Sequence, residues 1–441
     1  MLASGEGIAA RVQSGSTENY NEIEGRLPDS LQTKTPTEFV SEPANMPGRR
    51  RILRRKAAYS LKVFPTYAWQ WLTRRVPPGR VHLIMALADH FEPAIVPEDG
   101  QARVSHQEQE RRLERWCREY PKVIDSWRDR DGRPFVHTYF YPAEQYDRGI
   151  VAALAEHCHA GWGEVEIHLH HGIPVSDTVE NTRQTLVGFR DALAFEHGCL
   201  SYVDGESGPR YVFVHGNFAL ANSADGFGCG VDEELQVLAE TGCFADMTMP
   251  TSAFHPAQRA KINSLYECGP PLRERAAFRF GRDLARGQTP NKYPLMVQGP
   301  LMPDFSVWGS GRPFIENGSF SAKNPPTLQR LQLWKRAAIR VKGKPDWLFI
   351  KLHCHGMDPN QNDCVIGGAF QGFLRSLVEG AGDRQEMLHF VSAREMVNIM
   401  LAACDGREGS PAEYFDYRFR RGRTPVSLRG AKVTAQIAMK G

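Results

Sequence analysis

Seven of the 15 histidines, His90, His168, His170, His171, His215, His353 and His355, end or directly follow short apolar runs. Imidazole with carboxylate is the ligand set of a borderline divalent cation such as Zn²⁺. A catalytic centre of that kind leaves a position open for water and raises its acidity. The run Val81–Ala88 is followed by Asp89, His90, Phe91 and Glu92. In Val165–Gly172, a period of two sets Glu166, His168 and His170 opposite Val165, Ile167 and Leu169. Trp347–His355 repeats the pattern: Lys351, His353 and His355 lie opposite Leu348, Ile350, Leu352 and Cys354. His215, Gly216 and Asn217 follow Tyr211–Val214, and Asp246 and Thr248 follow Phe244. Taken singly, His82, His106, His137, His157 and His197 read as hydrogen-bonded structural residues.

These groups need strands to aim them. The alternation of short apolar runs with longer helical patterns predicts strands at Val81–Ala88, Pro134–Tyr141, Val165–His170, Tyr211–His215, Phe244–Thr248, Leu295–Gln298, Trp347–His353 and Leu388–Val391. Helices are expected at His106–Trp127, Thr178–Glu196, Val231–Glu240, Thr327–Val341 and Ala393–Ala402, the second opening on Asp177 as N-cap with Glu180 three residues later. The expected fold class is α/β, one large domain over residues 80–405. A (β/α) barrel is preferred to a doubly wound sheet, because no Gly-x-Gly-x-x-Gly or P-loop follows the first strand. In such a barrel the reacting groups sit at the C-terminal strand ends.

Composition narrows the function. Residues 1–48 are rich in Ser, Thr, Glu, Gly and Pro and are expected to be a disordered leader. Residues 49–79 form a basic, aromatic-rich segment with six basic side chains between Arg49 and Lys56, and residues 406–441 a basic C-terminal tail. The net charge is +3, but residues 43–80 alone hold ten Lys or Arg and no acid, so a nucleic-acid surface is not expected. Residues 49–75 read first as a solvated arm leading to a packed helix, and second as a peripheral contact with an anionic membrane surface. Nine cysteines without a Cys-x-x-Cys pair argue against a disulfide framework or zinc ribbon. No apolar run approaches the ~18 residues of a membrane span, and no secretory signal is visible at Met1–Ala10. The expectation is a cytoplasmic protein, with membrane association as the second reading.

An acid ending the first run, a His cluster ending the third, a later Asp246 and Leu352-His353-Cys354 in a late run follow one another in an order that resembles the polysaccharide deacetylase superfamily (NodB-like, carbohydrate esterase family 4). The resemblance spans roughly residues 80–400 and rests on a few short motifs. It implies an irregular (β/α)7-type barrel and hydrolysis of acetyl groups on glycans with a metal held by one Asp and two His. Carried over, Asp89 corresponds to the first motif, His168 with His170 or His171 to the metal histidines, and His353 to the general acid, kept charged by Asp246. His215 and Asn217, with His355, would contact sugar hydroxyls or the developing oxyanion. The family's first motif has two adjacent aspartates, whereas this chain has Ala88-Asp89-His90. Either Asp89 binds the metal and Glu92 is the base, or Asp89 is the base and His90 is the ligand.

The leading expectation is therefore a metal-dependent hydrolase, with Zn²⁺ the favoured ion, that removes an acyl group from a glycan or amino-sugar precursor. The alternatives are a catalytically silent carbohydrate-binding or regulatory protein of a polysaccharide-assembly system, and a metal-independent glycoside-active enzyme with Asp89 and Asp246 or Glu92 as its carboxylate pair. Trp162, Phe218, Phe254 and Trp308 read equally as sugar-stacking or packing residues, and the glycine-rich Ala224–Gly230 as a groove border or a surface turn.

Overall fold

The structure, a computed structural model, describes residues 49–97, 99–224, 226–252, 255–307 and 315–422. The expected leader, Phe254, Trp308 and residues 423–441 lie outside the described residues.

Ten strands build one sheet: β1 (Val81–His90), β2 (His137–Pro142), β3 (Glu164–Leu169), β4 (Tyr211–His215), β5 (Cys243–Asp246), β6 (Leu265–Cys268), β7 (Gly281–Asp283), β8 (Leu295–Val297), β9 (Trp347–Cys354) and β10 (Glu386–Phe390). Their order is β7-β6-β8-β5-β4-β3-β2-β1-β9, with β10 also beside β1. All pairs are parallel except β6 with β7 and β6 with β8. Leu87–His90 pairs with β2 while Val81–Met85 pairs with β10, so the sheet parts halfway along β1. This is the expected α/β class with a parallel-rich sheet. Among the described residues no ladder joins the sheet's two ends, so strand pairing does not close the expected barrel.

Alternation along the strands assigns the two faces. Leu83, Met85 and Leu87 of β1, Val165, Ile167 and Leu169 of β3, and Leu348, Ile350 and Leu352 of β9 join one core. That core is covered by α2 (His106–Ile124), α3 (Arg148–His157), α4 (Val179–Asp191), α5 (Glu234–Glu240), α6 (Leu328–Arg336) and α7 (Gly368–Glu379). Ile84, Ala86 and Ala88, with Val212, Val214, Trp347 and Phe349, form a second core around α8 (Ala393–Cys404). Every residue of α8 is buried, and Met396, Val397, Ile399 and Met400 each contribute about 1.5–3 kcal/mol of apolar burial. The Ser392–Glu395 capping box starts this helix, and Arg394 is neutralised by Glu164 at 2.7 Å. The chain after α8 returns to the domain: Asn398 Nδ2 donates to the Phe415 and Phe419 carbonyls, and Arg420–Arg421 pair with Ser201–Tyr202.

The N-terminal α1 (Arg49–Thr73) lies against the domain through Val63, Tyr67 and Gln70, whose Nε2 donates to Ile262 O at 2.8 Å. Leu61, Phe64, Trp69 and Leu72 are exposed by 59–70%. No described helix is long and apolar enough to cross a membrane. The expected N-cap of α4 moves by one residue. Thr178 accepts from Asn181 N, because the Asp177 carboxylate is drawn to His171.

Candidate metal centre

At the C-terminal ends of β1 and β3 the structure brings His90, Glu92, His168 and His170 together, with His355 just past β9. His168 and His170 face Glu92 Oε1 through their Nε2 atoms, at 3.5 and 3.7 Å. The other nitrogen of each ring decides what Nε2 can do. His168 Nδ1 lies 3.0 Å from the carbonyl oxygen of Val214, which can only accept, so Nδ1 carries the proton and Nε2 keeps its lone pair. That Nε2 is buried with no hydrogen-bond partner among the described residues. His170 Nδ1 donates to Glu144 Oε1 at 2.8 Å, and the His170 amide donates to Glu144 Oε2 at 3.2 Å. A carbonyl and a carboxylate that fix imidazole tautomers from behind are the usual outer partners of metal-binding histidines.

Electrostatics agree with a cation site. Burial would raise Glu92, but His170 and His168 hold it down to about 2. Burial would lower His170, but Glu92 and Glu144 on either side raise it to about 9. Burial is the main cause that lowers His168 and His90 and keeps both rings neutral. His90 Nδ1, like His168 Nε2, is buried without a partner. Above His90 sits Phe218, with ring centroids 5.6 Å apart and a left-handed φ of 57° that is rare outside glycine. Gly216 is needed beside it, because a Cβ there would overlap the His170 ring. His170 and Glu144 remain about a quarter exposed, which opens the centre to solvent on their side.

Several expected residues lie elsewhere. Asp89 is adjacent to His90 but points to the helix-covered face, where Oδ1 accepts from Gly356 N at 2.6 Å and Oδ2 meets His137 Nε2 at 2.9 Å. Asp89 therefore lies apart from His168 and His170, in a group with His137 and Cys354 that could itself hold an ion. Cys354 shares that face, as strand alternation requires. His171 turns away from His170 to Asp177 Oδ2 at 2.8 Å and Glu234 Oε1 at 3.0 Å. His215 and Asn217, expected to meet substrate, are buried in the same network: His215 Nε2 is 3.0 Å from His171 Nε2, and Asn217 Nδ2 donates to the His171 and Gly228 carbonyls.

Together with Cys229, this second group could also hold an ion. Its tautomers favour protons instead. Asn217 N donates to His215 Nδ1 at 3.2 Å, so the His215 proton resides on Nε2, the atom that faces the cluster. His171 is raised well above its ordinary range, as His170 is raised: burial opposes this, but the hydrogen bonds to Asp177, Cys229 and Glu234 outweigh it, so the His215 tautomer is what separates the two groups.

On the inner face of β9, His353 is held well below its ordinary pKa by burial, then by Lys351. Asp246 was expected to keep His353 charged. Its oxygens instead accept from Thr248 N and Oγ1, burial raises it to about 7, and the cation that acts on it is Lys351, itself lowered by burial to about 7. His355, expected as a substrate contact, groups with His90 and Glu92. Trp162 packs on the helix-side core, and its carbonyl accepts from the Tyr139 hydroxyl. Glu144 was missed, although it follows Pro142 at the end of the second run and so carried the same signal as the residues chosen. Compared with protein-family models and with curated proteins, the chain finds no match.

Proposed function

We propose that the protein is a metal-dependent hydrolase that removes an acyl group from a glycan or amino-sugar precursor, with Glu92, His168 and His170 as its ion-binding set. The observation that carries this reading is the bare, buried Nε2 of His168, fixed by the Val214 carbonyl and aimed at Glu92 and His170. Two imidazoles and one carboxylate suit Zn²⁺, whose catalytic sites keep positions for water and substrate. When bound, such an ion polarises the scissile carbonyl and acidifies water. Glu144 orients His170, Phe218 covers His90, and the neutral His353 ring is suited to accept a proton rather than to start as the acid. The order of motifs that resembles polysaccharide deacetylases supports acyl-glycan substrates, with Glu92 in place of the family's aspartate. A metal-independent carboxylate pair is less favoured, because Asp89 is occupied on the opposite face.

Acetate release from acetylated amino-sugar oligomers by chelator-stripped and Zn²⁺-restored protein tests the reading. Activity lost on stripping and regained with Zn²⁺ is expected. Metal-replete protein that turns over none of these esters and amides would leave the silent-binder alternative in its place.

Peripheral membrane contact is supported by the exposed Leu61, Phe64, Trp69 and Leu72 on a helix whose first eight residues include six basic ones.

A further inference from the structure

We infer that the centre is built for two divalent ions, with the Glu92 carboxylate shared between them. This rests on the metal reading above and extends it. The five side chains group as two triads, each with its ligand atoms within 4.8 Å of one another: Glu92–His168–His170 and His90–Glu92–His355. Glu92 is common to both, and a carboxylate has two oxygens with which to serve two ions.

The second triad has its own sign of a cation site. His90 is 2% exposed, and its Nδ1 has no hydrogen-bond partner among the described residues. An imidazole nitrogen left bare in the interior is unfavourable, and a coordinated ion would offset that cost. The triads also come from different elements. His168 and His170 belong to β3 and its end, His90 ends β1, and His355 follows β9, so each ion would tie a different strand end to the Glu92 loop. The rings of His90 and His168 are 4.6 Å apart, and those of His90 and His355 4.7 Å apart. Paired ions in hydrolytic centres lie about 3.5–4 Å apart, a spacing that adjoining rings of this kind can serve. His355 is half-buried, so the second ion would also be reached by solvent, as the first is beside His170 and Glu144.

Metal stoichiometry separates this inference from the reading beneath it. Full-length, tag-free protein is stripped with chelator, equilibrated with Zn²⁺, desalted and assayed by elemental analysis, beside His355→Ala and His355→Gln with circular dichroism as the folding control. Two equivalents in the wild type and one in both variants are expected, and the Mn²⁺-loaded wild type should give an exchange-coupled paramagnetic resonance spectrum that the variants lose. One equivalent in the wild type overturns the shared-carboxylate site and leaves the hydrolase reading standing. No bound metal overturns both. Two equivalents retained in folded variants place the second ion away from His355 and overturn the assignment.

Discussion

Asp89 and His90 are neighbours on β1 yet work on opposite faces of the sheet: Asp89 meets His137 at 2.9 Å under α2, and His90 lies against His168 with ring centroids 4.6 Å apart. Asp89→Ala should therefore be a stability variant. It leaves the Gly356 N–H and the His137 ring without their buried partner, at about 2–5 kcal/mol in total. Urea denaturation should show this loss while the metal content of the folded fraction stays at the wild-type level. A variant that sheds metal at unchanged stability would restore Asp89 as a ligand.

Glu144 acts on the centre through His170. Glu144→Gln keeps the shape but leaves one acceptor for two donors, His170 Nδ1–H and the His170 amide. Loss of such an outer partner lowers metal affinity by roughly 10–100-fold. Competition with a chromophoric chelator measures this, and unchanged affinity would show that Glu144 serves only the backbone.

Gly216→Ala tests the packing under the same ring. The new methyl group overlaps the imidazole of His170, which has no room to retreat without leaving Glu144 or Glu92. Metal affinity should fall by at least tenfold, with a melting temperature within a few degrees of wild type. Weakened stability with intact metal binding would mean that the backbone yields instead of the ring.

What could be read from the sequence follows from strand periodicity. Alternation placed His168 opposite Ile167 and Leu169, and Cys354 opposite His353 and His355, and all of these stand as expected. The same rule, applied through the end of the first run, separates Asp89 from His90 and sets His90 on the face of Ala86 and Ala88. His171 could not be sorted by period, because it lies beyond its strand, where Gly172 at φ 71° redirects the chain, whereas His215 shares the parity of Tyr211 and Phe213 and with it the helix-covered face. The β6–β7 hairpin is not legible because its strands are only four and three residues long and β7 is polar, with Glu267 and Arg282 pairing across them. Barrel closure depends on how sheet ends meet in space, which no local pattern encodes.

At the other end of β1, His82 Nδ1 is 2.7 Å from His389 Nε2, and His389 Nδ1 is 2.6 Å from Asp131 Oδ2. Burial lowers His82 to about 4 and His389 to about 3. The unfolded chain takes up protons near pH 6.5 while the folded chain does not until near pH 4, so between these values the unfolded state binds more protons. The contribution of this pair to stability must then fall as the pH drops from about 6.5 to 4. Urea midpoints across that window check the slope, and His389→Gln should flatten it. An equal slope in the variant would assign the acid sensitivity to other buried histidines such as His157.

The outer face of α1 sets the last expectation. Val63, Tyr67 and Gln70 are spent on the domain, whereas Leu61, Phe64, Trp69 and Leu72 face outward beside a basic N-terminal stretch without an acid. Apolar burial in the interface and attraction to anionic headgroups act together on such a helix. Full-length protein should co-sediment with phosphatidylglycerol vesicles, far less with phosphatidylcholine vesicles, and more weakly as salt is raised. The double variant Trp69→Ser/Leu72→Ser removes two exposed contacts and should lower the bound fraction several-fold with the fold intact. Retention of full binding by that variant would leave only the basic residues as its cause, and no binding of the wild type to either vesicle would reduce α1 to a packed arm.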